Sequence, residues 1–160
     1  HPTSPINASL GVQSNLFTST PLTAANFDAV RSSMMAFKGE DGQVMGAYPN
    51  LLIVPPQLEF AARAIVNASL VANGGTNVYQ GAAEILMIPE LADAPLDWYL
   101  ADTRYSLKPF VFQSRKSPQL VPLTAVNDEN VFFNKEFVWG VDARGAAGFG
   151  LWFLIAKARG

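Results

Sequence analysis

The sequence predicts a domain that mixes helices with strands, and two kinds of spacing support this prediction. In two segments, apolar residues recur every three or four positions, which is the spacing of a helix with one buried face. Elsewhere, short apolar runs end at a proline, and a C-terminal stretch has apolar residues at every second position, as strands do. The chain has 160 residues, a length that suits one compact domain or half of a larger one.

The first helix is predicted from about residue 24 to residue 37. Thr23 precedes this segment and can cap it, because a threonine oxygen accepts hydrogen bonds from the free N–H groups of the first turn. Each buried apolar side chain contributes about 1.5–3 kcal/mol, so one apolar face can hold this helix against a core. The side chains expected on that face are Phe27, Val30, Met34 and Phe37.

A strand over residues 51–54 and a second helix are predicted next. Pro55 stops the strand, and Pro56 suits the first turn of a helix because the N–H of that position has no partner within the helix. Glu59 and Arg63 are four residues apart and are expected to form an ion pair on the helix surface. The predicted buried stripe of the second helix consists of Leu58, Ala61, Ala62, Ile65 and Val66.

Three more strands are predicted, at residues 84–88, 98–102 and 107–113. The first should be buried, and Pro109 should lie at the edge or the start of the third, since proline cannot donate to a sheet. Residues 73–81 form a loop before these strands. Its paired glycines are not followed by the lysine and the serine or threonine of a phosphate-binding loop, so the loop is not expected to bind nucleotides.

The C-terminal segment is predicted to form a long hairpin. Residues 131–139 have apolar side chains at alternate positions, residues 145–148 offer glycines for a reversal, and residues 149–156 form the returning strand. Asp142 and Arg144 are two residues apart, so their side chains point to the same face of a strand. They lack a neighbouring nucleophile or base, and an interface role is therefore favoured over catalysis.

The composition excludes several classes of site. Only 15% of the residues are charged while 49% are hydrophobic, whereas about a quarter of an ordinary soluble domain is charged. The chain has no cysteine, and its one histidine is at position 1. Disulfides, thiolate metal sites and serine–histidine catalysis are therefore excluded for this chain. A surface kept against other chains fits this composition better than a very large core.

Nucleic-acid and membrane binding are also not expected. The net charge is −2, and the basic residues are scattered rather than gathered into the stripe that a nucleic-acid binder needs. No apolar run is long enough to span a membrane. Asp93, Asp97 and Asp102 do not have the spacing of a calcium loop, so they are predicted to be structural. Neither a metal nor a cofactor is expected.

Four segments resemble one known family, and they are "NLLIVPPQLE", "WYLAD", "LKPF" and "GVDARGAAGFGLW". Together, and in this order, they resemble the C-terminal half of Mu-like prophage major head proteins over about residues 20–157. The resemblance implies the capsid fold first described in bacteriophage Hong Kong 97, which is of the α+β class. None of these segments is a catalytic signature, so their expected role is packing.

The resemblance also implies a division of the chain between the two domains of that fold. An axial-domain sheet with flanking helices is expected, together with the spine helix and the long antiparallel strands of the peripheral domain. The implied ranges are 1–19 for an N-terminal arm or disordered lead-in, 20–50 for the spine helix and its exit, 51–128 for the axial domain, and 129–160 for the return strands.

The function implied by the resemblance is that of a structural subunit of a bacteriophage or prophage head, not of an enzyme. Copies of the chain would assemble into pentamers and hexamers of an icosahedral shell, with scaffold and portal proteins as further partners. The protein would be found in the virion, and in the bacterial cytoplasm during assembly. Head proteins of this type are much longer, so this chain is expected to be a C-terminal fragment. The lysine–asparagine crosslink of some relatives is not carried over, because no segment matches it.

Candidate contact residues come from the predicted strand pair and from the loop at residues 73–80, which would lie near the capsomer axis. Aromatic and arginine side chains are the usual anchors of interfaces, although Trp139 and Trp152 would suit a protein core equally well. The candidates are Trp139, Asp142, Arg144 and Trp152 on the strand pair, and Asn77, Tyr79 and Gln80 in the loop.

Two other functions remain open from the sequence. A small ligand-binding or enzymatic α+β domain would need a pocket with convergent polar groups, and the absence of internal histidine and cysteine argues against it. A tail or decoration protein of a virion would be expected to contain mostly strands, and the two predicted helices argue against that alternative.

Overall fold

The computed structural model describes residues 13–71, 74–125 and 127–160 and divides them into two units. The sheet unit consists of the described residues up to Pro109 together with Gly150–Gly160. The ribbon unit is Phe110–Phe149. The boundaries expected at residues 50 and 128 do not coincide with this division, because the chain leaves the sheet unit only once and returns to it.

The sheet unit is built on a five-stranded mixed sheet, in the order β1-β7-β4-β2-β3. Strand β4 is antiparallel to both of its neighbours, whereas each edge strand is parallel to the strand beside it. The strands, numbered along the whole chain, are β1 (Leu16–Phe17), β2 (Leu51–Val54), β3 (Glu84–Met87), β4 (Asp97–Ala101) and β7 (Ile155–Arg159).

Two helices, α1 (Ala24–Met35) and α2 (Glu59–Val66), cover one face of this sheet. Alternate residues of the central strands point to that face, and Trp98 and Leu100 of β4 are fully buried there. Phe27 of α1 belongs to the same core as these strand residues. The first helix therefore packs within the sheet unit. The other core side chains at 0% or 1% exposure are Val30, Met34, Leu52, Val54, Ala62, Val66, Leu154, Ala156 and Ala158.

Both predicted helices and the first predicted strand are confirmed. The Oγ1 of Thr23 accepts a hydrogen bond of 3.2 Å from the backbone N–H of Asn26, which caps α1 as expected. A single turn of 3-10 helix at Pro56–Leu58 leads into α2. On the surface of α2, Arg63 and Glu59 form the predicted ion pair at 2.9 Å.

One prediction for the sheet unit is wrong. The segment at residues 84–88 was expected to be a buried strand, but β3 pairs only with β2, and at this edge Leu86 and Met87 remain about 40% exposed. Residues 1–19 are predicted to be an N-terminal arm or a disordered lead-in, and within this range β1 pairs with β7. Residues 1–12 of that lead-in lie outside the described part of the chain.

The ribbon unit consists of two long antiparallel strands joined through a short helix. Its elements are β5 (Phe110–Leu123), α3 (Glu129–Asn134) and β6 (Val138–Phe149). The helix ends at Lys135, whose φ of 55° places it in the left-handed region that often terminates helices. The strand predicted at residues 107–113 is thus confirmed only from residue 110, and it runs ten residues beyond the predicted end.

The predicted C-terminal hairpin is wrong in its details. Residues 145–148 lie inside β6 rather than in a turn, because an extended glycine is compatible with a strand and continues the ladder to β5. The reversal occurs instead near α3, where residues 131–134 are helical and not extended. Residues 152–154 form a 3-10 turn, and β7 begins at Ile155.

Candidate interaction surface

The ribbon unit has one face that is almost entirely apolar. Side chains alternate along β6, so every odd-numbered residue from 139 to 149 points to the same side. Residues of β5 that pair with them lie on that side as well. The apolar face so defined consists of Trp139, Val141, Ala143, Gly145, Ala147 and Phe149 from β6, and Phe110, Phe112, Ser114, Leu120 and Pro122 from β5.

The large side chains of the apolar face lie mainly in solvent. Phe110, Phe112, Leu120, Trp139, Val141 and Phe149 are between 55% and 91% exposed. Their contacts with one another are between neighbouring positions, such as the paired residues Phe110 and Phe149, whose ring centroids lie 6.0 Å apart. A two-stranded ribbon is marginally stable at best in water, and exposed apolar patches usually mark an interaction site.

Glycine allows one close contact on the apolar face. A Cβ atom built on Gly145 would lie 2.4 Å from the ring of Phe112. The ring therefore lies over the bare backbone of the opposite strand, which keeps this part of the face flat. The sequence predicts a turn at Gly145, so this contact within the strand pair does not follow from it.

The opposite face of the ribbon unit carries the charges. Lys116 and Arg144 are register partners, which brings two positive groups together. The Nζ of Lys116 lies 2.5 Å from the Oδ2 of Asp142, and this carboxylate offsets part of the repulsion. Asp142 and Arg144 thus share a face as predicted, but Asp142 pairs across the ribbon with Lys116. The pair is about half-exposed, so its contribution to stability is small.

Two irregularities in the ribbon both lie on β5. The register shifts between Ser114 and Lys116, and again between Lys116 and Gln119, so β5 has two more residues than β6 over the same length. Pro118 lies in the second shift, where proline is tolerated because bulges lack some ladder hydrogen bonds. Because the excess is an even number of residues, the paired residues of β5 on both sides of the bulges lie on the same faces as their β6 partners.

Aromatic side chains are concentrated at the α3 end of the ribbon unit. Phe132 and Phe133 are about 70% exposed, and their rings meet edge to face at 5.1 Å. Phe137 and Trp139 are more than half exposed, with ring centroids 6.3 Å apart. Aromatic groups contribute strongly to binding when a partner excludes water from them.

The two candidate tryptophans occupy different environments. Trp139 lies on the apolar face of the ribbon unit and is 57% exposed. Trp152 lies in the sheet unit, where it is partly buried and its ring is 5.0 Å from that of Phe37. The prediction that both lie on one strand pair is wrong, because Trp152 belongs to the 3-10 turn before β7.

The loop candidates also separate into buried and exposed residues. The Nδ2 of Asn77 donates to the carbonyls of Ile65 and Ala68, each at 2.8 Å, and its Oδ1 accepts from the N–H of Tyr79 at 3.0 Å. Asn77 is only 5% exposed, so it holds the loop to the end of α2. The ring of Tyr79 packs edge to face on Phe27. Gln80 is exposed, and residues 72 and 73 lie outside the described part.

Asp102 is a buried charged residue of the sheet unit, and the sequence predicts only a structural role for it. Asp102 is fully buried and accepts hydrogen bonds from the side chain of Arg104 and from the N–H of Tyr48 at 2.7 Å. Burial raises the pKa of Asp102, but these bonds and the Arg104 charge outweigh it and lower the pKa below its ordinary value of 3.8. The ionised form is therefore favoured by folding. Its contribution to stability is present above pH 4 and is lost as the pH falls through the lowered pKa.

Among the described residues, the apolar face is therefore the main candidate surface for protein association. Within residues 13–71, 74–125 and 127–160, no group of three or more acidic or histidine side chains is arranged to hold a metal ion. No helix in that part of the chain is long and apolar enough to cross a membrane.

Comparison with known families identifies the chain. The family model described as the Mu-like prophage major head subunit gpT matches residues 7–91 and 92–160. This chain belongs to that family. The resemblance seen in the sequence is confirmed, and so is the mixed α+β class. The gpT family is one of structural capsid proteins.

Two curated relatives match part of this gpT-family chain. It is 40% identical over 65 residues to the major capsid protein of Escherichia phage Mu, a match that covers 41% of this chain and 21% of the relative. It is 43% identical over 63 residues to the Mu-like prophage FluMu major head subunit of Haemophilus influenzae, covering 39% and 20%. The match thus spans about a fifth of the length of each relative.

Two solved structures are similar to parts of the gpT-family chain. A phage-related protein from Bordetella bronchiseptica has a TM-score of 0.54 at 10% identity, covering 90% of this chain and 54% of the other. At this identity the likeness concerns the fold alone. The procapsid protein of bacteriophage JBD30 is 32% identical, with a TM-score of 0.37, covering 65% of this chain and 39% of the other.

Proposed function

We propose that this chain is part of a major head subunit that assembles with copies of itself into the capsomers of a phage shell. Membership of the gpT family supports this function at the level of the family. The observation that carries it to particular residues is the apolar face of the ribbon unit. This face is too exposed to act as a core, and it carries the large aromatic and aliphatic side chains found at the centre of interfaces.

The ribbon unit is proposed to contact neighbouring copies mainly through its apolar face and its aromatic end. Of the candidates from the sequence, Trp139 is the central anchor, because it belongs to both features. Arg144 and Asp142 lie on the charged face, where they would set the orientation of a contact more than its strength. Trp152 and Asn77 are assigned structural roles within the sheet unit, while Tyr79 and Gln80 remain loop candidates.

The two units are proposed to correspond to the two regions of the capsid fold. A five-stranded sheet with two helices along one face fits the axial region, which gathers around the capsomer axes. Two long antiparallel strands fit the return strands of the peripheral region. On this proposal the axial region comprises residues 20–109 and 150–160, and the peripheral strands comprise residues 110–149, in place of the ranges expected from the sequence.

The action of the protein is proposed to be association without catalysis. Ring-shaped capsomers close by cyclic symmetry, in which one surface of each subunit meets a different surface of the next. Burial of the apolar face supplies the driving force, at about 25 cal/mol for each Å² of apolar surface removed from water. The proposed location is the virion, with assembly in the host cytoplasm and with scaffold and portal proteins as further partners.

Light scattering and electron microscopy of the purified chain test this proposal. The expected result is a mass that grows with protein concentration, with rings or shells visible at the higher concentrations. A chain that stays a monomer at every concentration, with the ribbon amides protected from exchange, would contradict the proposal. In that case the apolar face would be covered within the monomer and would not be available to a partner.

A further inference from the structure

A second surface feature lies on the sheet unit, around the ring of Tyr48. The guanidinium carbons of Arg31 and of Arg104 each lie 4.8 Å from the centroid of this ring. Tyr48 is 46% exposed and the side chain of Arg104 is 51% exposed, whereas Arg31 is partly buried. Cations are attracted to aromatic faces, but two guanidinium groups at one ring also repel each other. Their arrangement therefore calls for a nearby anion.

Asp102 is the carboxylate next to this cluster, and it pairs with only one of the two arginines. Asp102 accepts hydrogen bonds from the Nε and Nη2 of Arg104 at 3.1 and 2.9 Å. Arg31 forms no ion pair with any residue in the described part of the chain. Its Nε is buried and has no hydrogen-bond acceptor among those residues. The cluster therefore has one positive charge in excess and a donor without a protein acceptor.

An unsatisfied buried donor is uncommon in folded proteins, because losing its bonds to water costs about 1–3 kcal/mol. Guanidinium groups bind carboxylates especially well, since two parallel N–H groups match the two carboxylate oxygens. The guanidinium carbon of Arg31 lies 4.8 Å from the centroid of the Tyr48 ring, and the attraction between the two helps to hold the cation in place. The geometry is thus that of a receptor for one more carboxylate.

We propose that Arg31, Tyr48 and Arg104 form a receptor for an acidic side chain of a neighbouring copy of this chain. This inference rests on the proposed assembly, and it adds a polar contact on the sheet unit to the apolar contact of the ribbon unit. The sheet unit presents suitable groups, because five of its exposed carboxylates form no ion pair among the described residues. They are Glu40, Asp41, Glu84, Glu90 and Asp93.

The first experiment tests the receptor in the chain itself, with acetate as the probe. Acetate replaces chloride at constant ionic strength, and the Nε–H resonances of the arginines are followed by NMR. The resonance of Arg31 is expected to shift along a saturating curve, whereas that of Arg63, which already pairs with Glu59, should change little and linearly. Equal linear shifts of both resonances would overturn the receptor.

The second experiment tests whether a neighbouring copy supplies the carboxylate. Arg31→Gln removes the charge and leaves the Arg104–Asp102 pair intact, and Arg63→Gln is the control on the same unit. Both variants should retain the wild-type circular dichroism spectrum. Arg31→Gln is expected to raise the protein concentration needed for assembly about fivefold, with no change for Arg63→Gln. Unchanged assembly of Arg31→Gln would overturn the role of the neighbouring copy.

The two experiments separate this inference from the proposed function. If the wild-type chain does not assemble at all, the proposed function fails, and with it the role of a neighbouring copy. The acetate titration would then still decide whether the carboxylate receptor exists. If the wild type assembles but acetate produces no saturating shift, the receptor fails while the proposed function stands.

Discussion

Trp98 and Trp139 show how differently the two units use the same side chain. Trp98 is completely buried in the sheet unit, and its Nε1 donates a hydrogen bond of 2.9 Å to the carbonyl of Thr20. Trp139 is 57% exposed on the ribbon unit. The first holds a strand to a core within one chain. The second is exposed on the apolar face, which is why we propose it as an association residue.

The difference extends to the units as a whole. Helices cover one face of the sheet, and the side chains between them are excluded from water. The ribbon unit has two strands and one turn and a half of helix, and nearly all its side chains are exposed. A layer needs a second layer to bury its apolar face. We infer that the sheet unit folds around its own core, whereas the ribbon unit obtains its second layer from a partner.

The largest expected effect separates the two tryptophans. Trp98→Ala should lower the free energy of unfolding by about 3–5 kcal/mol, because it opens a large cavity and leaves a carbonyl unpaired. Trp139→Ala should change it by less than about 0.5 kcal/mol in the monomer but should weaken assembly. Urea unfolding at low protein concentration measures the first quantity, and light scattering measures the second. Similar unfolding losses for both variants would mean that the ribbon unit has a core of its own.

The next effect tests the loop of the sheet unit. Asn77→Asp removes two hydrogen bonds to buried carbonyls and places a carboxylate beside them, at a cost of about 3 kcal/mol in the free energy of unfolding. Gln80→Glu, three residues away and exposed, is the matched control and should cost almost nothing. Thermal unfolding followed by circular dichroism compares the two. Equal melting temperatures would show that Asn77 does not hold the loop.

A smaller effect on stability is expected to distinguish Gly148, near the end of the ribbon unit, from Gly150, where the chain re-enters the sheet unit. A Cβ on Gly150 would lie 2.0 Å from the carbonyl oxygen of Lys108, whereas a Cβ on Gly148 would have no atom within 4 Å. Gly150→Ala should therefore destabilise the fold by about 2 kcal/mol, and Gly148→Ala should be close to neutral. Urea denaturation measures both. If Gly150→Ala left the free energy of unfolding unchanged, the backbone segments at Gly150 and Lys108 would be able to move apart at no cost.

The smallest effect concerns the ion pair on the charged face of the ribbon. Lys116→Gln and Asp142→Asn should each change the free energy of unfolding by about 0–1 kcal/mol, because the pair is exposed and screened by water. A double-mutant cycle isolates the coupling between the two side chains. A coupling energy well above 1 kcal/mol would contradict the exposed state of this face.

Much of the sheet unit could be predicted from the sequence because its signals are local. The cap at Thr23, the helical spacing of α1, and the prolines that bound β2 and α2 each fix a short segment independently of the rest. The edge position of β3 could not be predicted, since an apolar run reads alike in an edge strand and a central strand. That position depends on which strands pair, and pairing is decided by the whole fold.

The ribbon unit was harder to predict because its residues have weak local preferences. Glycines at residues 145 and 148 are compatible with either a turn or a strand, and only the ladder to β5 selects the strand. The apolar run at residues 131–133 does not alternate with polar residues, and it becomes helical. Asp142 and Arg144 were correctly placed on one face, yet the partner of Asp142 is Lys116, 26 residues earlier. Such pairing depends on register, which spacing alone does not give.

We infer that another copy of the chain covers the apolar face of the ribbon unit. Leu120 and Val121 test it most directly, because they are neighbours on β5, are 65% and 49% exposed, and belong to opposite faces. Leu120→Glu and Val121→Glu are compared by light scattering across protein concentrations. Leu120→Glu is expected to suppress assembly, whereas Val121→Glu should assemble nearly as the wild type does. Equal assembly by both variants, or a stronger loss for Val121→Glu, would contradict it.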